Sequence, residues 1–356
     1  MFFVILPLLF TVACGENQVG KNKQPFEPSL ISARMNEGFF IAAGGEDYDE
    51  VNAQMFETTF MGMEYEKKHL LNDEEFELYA GFEWYEAIRK SRPNRSIILR
   101  YTSTNKGNIP KEFNTYLEQE MKSLERFLET CKKRGYYFEL IEFGDEFNAV
   151  GKLHLNFTDE NVYEYYDTGI RIIKKYYPDT KICLDVMPVY AYSDKIFSPG
   201  AGYDCINDGR LIENITFLKE LQKRQTPFTV VGIEIQPGGH TYHDEEVFKR
   251  YIDSILELDL EVFIWEFWIP YQTPVKGFMD LFLNNMPPEG YSEEWQSNTL
   301  KAFLSYVSQN RRIIGFNYLG AVYGSGGSGY DHTEILIEDG TPRNKAGEIF
   351  KEWASK

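Results

Sequence analysis

Eight short, almost wholly apolar runs constrain the fold of this chain more than any other feature of its sequence. Strands that are buried on both faces of a parallel sheet need apolar residues nearly throughout. Between the runs, apolar residues recur every third or fourth position, which is typical of one helix face. Repeated strand–helix units without a linker predict an α/β fold, a single (β/α)8 TIM barrel. The predicted strands are residues 39–45, 58–64, 96–102, 136–144, 181–189, 228–236, 261–267 and 313–319.

The helical patterns between these runs support the same architecture. Asp159 and Asp244 stand near two helix starts, where a side-chain acceptor caps free backbone N–H groups. A doubly wound open sheet is the rival, but it usually carries a glycine-rich phosphate loop after an early strand. The sequence Gly-Gly-Glu-Asp at 44–47 does not match that fingerprint. The predicted helices are residues 111–134, 158–177, 244–258, 293–310 and 345–354.

The N-terminus has the features of an export signal. Residues 1–13 are apolar throughout and too few to span a bilayer, so they predict a signal peptide. A small residue precedes Cys14, as in bacterial lipoproteins, in which such a cysteine becomes the lipidated N-terminus. No Lys or Arg precedes the apolar run, and a plain cleaved signal with an incidental cysteine is the alternative. We expect a lipidated N-terminus and flexible tether over 14–35 and one folded domain over 36–356.

The location and partners of the protein follow from this N-terminus and from the charge. We expect an exported, membrane-anchored lipoprotein in the periplasm or at the cell surface. It should contact the membrane only through its lipid, and we expect it to be a monomer. The chain has 37 Lys and Arg against 55 Asp and Glu, a net charge of −18. Such a surface repels phosphate backbones, so we expect no nucleic-acid partner.

Cysteine and histidine spacing predicts neither a metal site nor a cofactor. Cys131, Cys183 and Cys205 lack metal-ligand spacing, and we expect them to be buried free thiols. His240 and His243 are three residues apart, but a zinc site needs a third ligand and none stands out. The residues therefore favour chemistry by side chains alone.

Two predicted strands end in a glutamate at what would be the mouth of the barrel, the rim formed by the carboxyl ends of the strands. Active sites of TIM barrels lie there. The fourth strand runs into Gly-Asp-Glu at 144–146, and the seventh ends in Trp-Glu-Phe at 265–267. Cleavage of a glycosidic bond needs a protonated carboxyl and an ionised one, which Glu146 and Glu266 could supply. A structural ion pair with Arg or Lys is the alternative for Glu266.

The second half of the sequence resembles glycoside hydrolase family 10, the retaining endo-β-1,4-xylanases. The stretches VGIEIQ at 231–236, LDLEVFIWEFWIP at 258–270 and LIEDGTPRNKAG at 336–347 carry the resemblance. It implies that residues 36–356 are a catalytic domain with Glu146 as acid/base and Glu266 as nucleophile. It also implies a polysaccharide or oligosaccharide substrate, xylan or a related β-1,4-glycan.

The expected sugar pocket departs from the family more than the two glutamates do. The resemblance implies sugar contacts by Gln236 and His240 after strand six, and by Glu64 and Lys68 after strand two. The family's Asn before the acid/base is Asp145 here, which lacks the amide donor and puts a charge beside Glu146. Tyr101 stands where the family has a pocket histidine. The expected substrate-binding residues are Glu64, Lys68, Tyr101, Asp145, Gln236, His240, Trp265 and Trp268.

This combination predicts a retaining glycosidase whose substrate need not be xylan. The acidic surface suits a neutral polysaccharide better than a strongly anionic one. Two alternatives stay open at this point: a glycosidase of another family in the same clan, and a carbohydrate-binding lipoprotein that has lost catalysis.

Overall fold

The computed structural model describes most of the chain from residue 97 onward and shorter segments before it. The described residues are 40–42, 57–64, 76, 82–91, 97–104, 109–192, 195–197, 209–239, 243–273, 286–319, 332–337 and 341–354. The strands are β1 Phe40–Ala42, β2 Glu57–Glu64, β3 Ile97–Thr104, β4 Leu140–Phe143, β5 Lys181–Asp185, β6 Tyr190–Tyr192, β7 Lys195–Phe197, β8 Val230–Ile235, β9 Glu261–Phe267 and β10 Ile313–Tyr318. The helices are α1 Phe82–Ser91, α2 Phe113–Lys133, α3 Phe147–Leu153, α4 Asp159–Tyr176, α5 Asn214–Lys223, α6 Glu245–Leu256, α7 Glu293–Gln309 and α8 Lys345–Ala354.

Eight of the strands form one parallel sheet, in the order β1-β10-β9-β8-β5-β4-β3-β2. Every pairing between neighbours in this sheet is parallel. All eight predicted strands are therefore confirmed, as are the α/β class and the five predicted helices. Strands β6 and β7 form a separate antiparallel hairpin after β5. Within the described residues no pairing joins β1 to β2, so they show an eight-stranded parallel sheet without its closure.

Side-chain caps fix the starts of three long helices. Asp244 accepts a hydrogen bond from the backbone N–H of Glu246, which confirms it as the cap of α6. Thr158 caps α4 through the N–H of Asn161, so the cap lies one residue before Asp159. Asp159 instead occupies the first helical position, where its charge is favourable at the positive end of the helix dipole. Ser292 caps α7 through the N–H of Trp295, as Thr158 caps α4.

Aromatic side chains fill the layer between the sheet and the helices. Phe147 stacks on Tyr165 with ring centroids 3.7 Å apart, and Phe267 stacks on Phe303 at 4.0 Å. A Cβ at Gly169 of α4 would lie 2.1 Å from the ring of Phe143, so this helix packs directly on β4. Most of the described aromatics are therefore core residues, which accounts for much of the 16% aromatic content.

The described cysteines and helices agree with an ordinary buried core. Cys131 and Cys183 are buried free thiols, as expected, while Cys205 and Cys14 lie outside the described residues. No helix in the described part of the chain has both the length and the apolar character needed to cross a membrane.

Candidate active site

The turn that follows β4 holds its three residues in a rare backbone conformation. Gly144, Asp145 and Glu146 have φ angles of 121°, 39° and 59°. Left-handed backbone costs about 1–2 kcal/mol for a residue with a Cβ, so the rest of the fold must hold this turn. Glu146 is also the residue directly before α3. Strain of this kind is typical of sites where the side-chain position matters more than local stability.

A buried hydrogen-bond network holds the residues that follow this turn. The hydroxyl of Tyr166 donates to the carbonyl of Asp185 at 2.9 Å and accepts from the N–H of Asn148 at 3.1 Å. The side-chain amide of Asn148 donates to the carbonyl of Met187 and to Asn214. Its oxygen accepts from the N–H of Met187 at 2.9 Å. The start of α3 is therefore tied to the segment after β5 and to α5.

A β-bulge in β9 shapes the other candidate position. Along β8 the register advances by one residue, from Ile233 to Glu234, while along β9 it advances by two, from Ile264 to Glu266. The register with β10 shifts at the same place. Trp265 is thus an extra residue, and it changes the alternation of side chains between the two sheet faces.

The bulge brings Trp265 and Glu266 to the same group of side chains. The Cζ atom of Arg100 lies 5.2 Å from the ring centre of Trp265. Glu266 accepts a hydrogen bond from Gln236 at 3.2 Å. Asn317 of β10 donates to the carbonyl of Trp265 at 2.9 Å, which ties down the bulged backbone. Two consecutive residues of β9 therefore reach the same face of the sheet as Arg100.

Arg100 of β3 pairs with carboxyl groups from β4, β5 and the turn. Its Nε lies 3.1 Å from Glu142, and its Nη2 lies 2.8 Å from Asp145 and 3.5 Å from Asp185. The side chains of Glu142 and Asp185 are fully buried, and that of Arg100 is 18% exposed. Burial alone would lower the pKa of Arg100, but the charges of these carboxyls outweigh it and raise that pKa well above its usual value.

The two fully buried carboxyls next to Arg100 have strongly perturbed acidity. Burial raises the pKa of Glu142 well above its ordinary range, and the charge of Asp185 adds to this against the opposing effect of Arg100. Burial also raises the pKa of Asp185, to about 7. The charges of Glu142, Asp185 and Arg100 act on one another, so the two carboxyls titrate together.

The pKa of Glu146 is also raised far above its ordinary value. Burial raises its pKa to about 8, and the charges of Asp185, Asp145 and Glu266 act in the same direction. Burial likewise raises the pKa of Glu234, and the charges of Glu146 and Glu266 add to it. At neutral pH, Glu146 therefore keeps its proton in the free protein.

A glutamine links the two glutamates of β8 and β9. The Nε2 atom of Gln236 donates to Glu234 at 3.2 Å and to Glu266 at 3.2 Å. Glu234 and Glu266 are cross-strand partners, so their side chains lie side by side on one face. An N–H donor suits Glu266 in its ionised form, which only accepts hydrogen bonds.

The structure brings five of the predicted site residues together and places others elsewhere. Glu146, Asp145, Glu266, Gln236 and Trp265 meet around Arg100.

Tyr101 and Trp268 are buried in closely packed surroundings. Tyr101 is 2% exposed and its ring packs against Phe127 and Phe143. Trp268 is 1% exposed, and a Cβ at Gly239 would lie 2.1 Å from its ring.

Of the three remaining predicted site residues, the structure describes one, Glu64. Glu64 is the last residue of β2, in register with Thr104 of β3. Lys68 and His240 are outside the described residues, as is Cys14, the predicted site of lipidation.

Sequence reasoning missed four charged side chains that the structure places at this site: Arg100, Glu142, Asp185 and Glu234. Glu142 and Glu234 interrupt apolar strands, Arg100 follows three apolar residues of β3, and Asp185 follows three apolar residues of β5. A charge inside a strand that is buried on both faces is costly unless it faces a polar interior, and that signal could have identified them. In the described part of the chain no group of three or more His, Cys, Asp or Glu is arranged to hold a metal ion.

Comparison with known proteins places the fold among glycosidases. No family model and no curated protein matches the sequence. An endo-1,4-β-xylanase from Caldicellulosiruptor owensensis matches with a TM-score of 0.58 and 16% identity, over 90% of this chain and 98% of the xylanase. A family 10 xylanase from Bispora sp. MEY-1, solved with xylobiose, matches with a TM-score of 0.58 and 12% identity, over 91% and 99%.

A third match extends the likeness beyond xylanases. One of two fungal β-1,4-galactanases matches with a TM-score of 0.53 and 13% identity, over 76% of this chain and 82% of the galactanase. At these identities the comparisons establish the fold alone. The resemblance that the sequence carries is thus confirmed as a likeness of fold to family 10 xylanases and related glycosidases.

Proposed function

We propose that this protein is a retaining glycoside hydrolase, built on a closed (β/α)8 barrel, that cleaves β-linked polysaccharide. The observation that carries the proposal is the pairing of two glutamates in different surroundings at the ends of β4 and β9. Glu146 has a pKa of about 8, while Glu266 accepts an amide hydrogen bond from Gln236. A double displacement needs one protonated and one ionised carboxyl, and these surroundings favour that division.

The proposed reaction has two steps at the same anomeric carbon. In the first, Glu146 donates its proton to the glycosidic oxygen while the Glu266 carboxylate attacks C1, so the glycosidic bond breaks and a glycosyl ester forms. In the second, the Glu146 carboxylate takes a proton from water, and the resulting hydroxide attacks C1. The ester bond breaks, Glu266 leaves as a carboxylate, and Glu146 is protonated again.

The surrounding residues supply the expected sugar contacts. Asp145, held by Arg100, lies beside the acid/base and can accept hydrogen bonds from sugar hydroxyls. Trp265 is buried at the bulge with its ring over Arg100, and we propose Glu64, Lys68 and His240 as further sugar contacts. The solved xylanases and galactanases with this fold act on β-1,4-linked glycans according to their names, which makes xylan or a related β-1,4-glycan the first substrate class to test.

The proposed setting is an exported lipoprotein anchored through Cys14. The protein would meet its substrate as a monomer in the periplasm or at the cell surface, with membrane contact only through the lipid. The net charge of −18 favours a neutral glycan over a polyanion and disfavours nucleic acid.

A panel of xylan, β-glucan, mannan and galactan tests the proposal. We expect the wild type to release reducing sugar from at least one of them, and Glu146→Ala and Glu266→Ala to lower kcat by at least about 100-fold. Glu120→Gln is the matched control, because Glu120 is a buried carboxyl on α2 that does not act on Glu146. A wild type that binds a glycan but cleaves none would instead indicate a carbohydrate-binding protein.

Product stereochemistry tests the proposed mechanism separately. Proton NMR of the first-formed product should show the anomer that the substrate carried, because two displacements at C1 restore its configuration. A first-formed product of the opposite configuration would contradict the role of Glu266 as nucleophile.

A further inference from the structure

The candidate site holds many more acidic groups than basic ones. Six carboxyls belong to it: Glu142, Asp145, Glu146, Asp185, Glu234 and Glu266. Within the described residues, Arg100 is the cation that acts on these groups. A single guanidinium cannot neutralise them all, which agrees with the raised pKa values of Glu142, Glu146, Asp185 and Glu234.

Arg100 is placed to hold the left-handed turn from one side. Its Nη2 donates to Asp145 at 2.8 Å, and the same nitrogen lies 3.5 Å from Asp185. Its Nε lies 3.1 Å from Glu142, so the guanidinium is fixed by β4 and β5 before it reaches the turn. The Trp265 ring packs over it at 5.2 Å and restricts it further.

We propose that Arg100, Glu142 and Asp185 form a positioning group that holds Asp145 and thereby fixes the carboxyl of Glu146 at the mouth, beside the negative charges of Asp185 and Asp145. The proposal rests on the proposed glycosidase function, because it assigns Glu146 the acid/base role. It adds three residues from β3, β4 and β5 to which neither the sequence nor the fold comparison gives a function.

The energetics of burial favour a functional reason for this group. Two fully buried carboxyls and a largely buried guanidinium are often no more stabilising than apolar residues of the same volume. A gain in stability therefore does not explain the group. A precise position for the strained Asp145–Glu146 turn does explain it, because the only carboxylate of the turn that Arg100 contacts in the described structure is Asp145.

Glu146 is surrounded by charged and titratable groups from several elements. After burial, the charge of Asp185 does most to raise the pKa of Glu146, followed by those of Asp145 and Glu266. The charge of Arg100 lowers this pKa. The groups whose charges act on Glu146 are Arg100 on β3, Asp145 on its own turn, Asp185 on β5 and Glu266 on β9, and Glu146 acts in turn on Glu234 on β8. Glu142 on β4 is coupled to Asp185, and the Tyr166 hydroxyl on α4 binds the backbone carbonyl of Asp185.

Asp185→Asn tests the electrostatic part of the proposal. It keeps the shape of the side chain and removes a negative charge, so Glu146 should lose its proton at lower pH. We expect the alkaline limb of kcat/KM to move down by roughly one pH unit. Glu120→Gln should leave the limb where the wild type has it, because Glu120 does not act on Glu146.

Asp145→Asn gives the same test at a position whose side chain is 32% exposed. It removes the second charge that acts on Glu146 and weakens the contact with Arg100, so the alkaline limb should again move to lower pH. This variant decides the question if Asp185→Asn does not fold.

Arg100→Lys tests the geometric part. A lysine keeps the charge but cannot reach Glu142, Asp145 and Asp185 from one planar group. We expect kcat to fall by at least about tenfold while KM changes less, because the turn carrying Glu146 is displaced rather than the sugar pocket removed. An unchanged kcat in a folded Arg100→Lys protein would overturn the positioning role.

Direct titration separates this proposal from the proposed function. The carboxyl carbon of Glu146, assigned with Glu146→Gln, can be titrated by ¹³C NMR in labelled wild type and in the two aspartate variants. A midpoint lower in both variants than in the wild type supports the positioning group even if no glycan is cleaved. A midpoint that is the same in all three proteins overturns it, whether or not the enzyme is active.

Discussion

Gly144→Ala is the substitution that most sharply tests how the turn after β4 is held. The φ of Gly144 is 121°, a region that L-residues rarely adopt. An added Cβ would lie 2.1 Å from Cε1 of Tyr166 and 2.8 Å from its Cζ. Atoms cannot approach so closely, so either the turn or the buried Tyr166 ring must move.

The expected cost is the sum of backbone strain and displaced packing. Strain in this part of backbone space costs about 1–3 kcal/mol. Pushing the ring aside costs about 1–3 kcal/mol more, and it weakens the hydrogen bonds of the Tyr166 hydroxyl to Asp185 and Asn148. We therefore expect Gly144→Ala to lower the free energy of unfolding by roughly 2–6 kcal/mol.

Gly135→Ala supplies the matched control. Gly135 also has a positive φ, 72°, but nothing lies within 4 Å of the added Cβ. It should cost only about 1–2 kcal/mol, the strain of left-handed backbone. Urea unfolding followed by tryptophan fluorescence measures both variants. Equal losses in the two variants would refute the argument that the Tyr166 contact holds the turn.

Three further predictions follow from the contacts around the site. Asn148→Ala should lower the free energy of unfolding by about 3 kcal/mol in urea titrations, because the N–H of Met187 and the side-chain oxygen of Asn214 lose their Asn148 partner, although the Met187 carbonyl still accepts from Asn214; a loss below about 1 kcal/mol would contradict this. Asn317→Ala should cost about 1 kcal/mol and lower kcat, because the bulge carrying Glu266 loses its tie; unchanged kinetics would show that the bulge holds without it. Glu146 and Asp185 have folded pKa values of about 8 and about 7, above their usual 4.5 and 3.8, so their contribution to stability is complete below the usual values and is lost as pH rises through the folded ones. The unfolding free energy of the wild type should therefore fall between pH 5 and pH 8, and it should fall less in Asp185→Asn.

The eight parallel strands could be predicted from the sequence, because strands that are buried on both faces are apolar nearly throughout. It was less informative where tertiary contacts decide. Residues 136–139 are apolar enough to extend the fourth strand, yet β4 covers only Leu140–Phe143, and Tyr136 and Phe138 pack in the core from a loop. The β6–β7 hairpin and the helices α1, α3 and α5 are short and were not predicted.

The two candidate glutamates were predictable because they stand at strand ends, whereas their surroundings were not. The bulge at Trp265 exists only relative to the registers of β8 and β10, which no single strand encodes. The contacts of Arg100 depend on which side chains of β3, β4 and β5 lie on the same face of the sheet. Alternation alone would have placed Trp265 and Glu266 on opposite faces.

The central claim is that Glu266 attacks the sugar, and covalent trapping tests it most directly. A 2-deoxy-2-fluoro glycoside of the preferred sugar, with a good leaving group, should form a glycosyl ester that hydrolyses slowly. Intact-protein mass spectrometry should then show the added mass of one sugar, and fragmentation should place it on Glu266. The label should be absent from Glu266→Ala and present in Glu120→Gln. Labelling of another residue, or equal labelling of Glu266→Ala, would contradict the account.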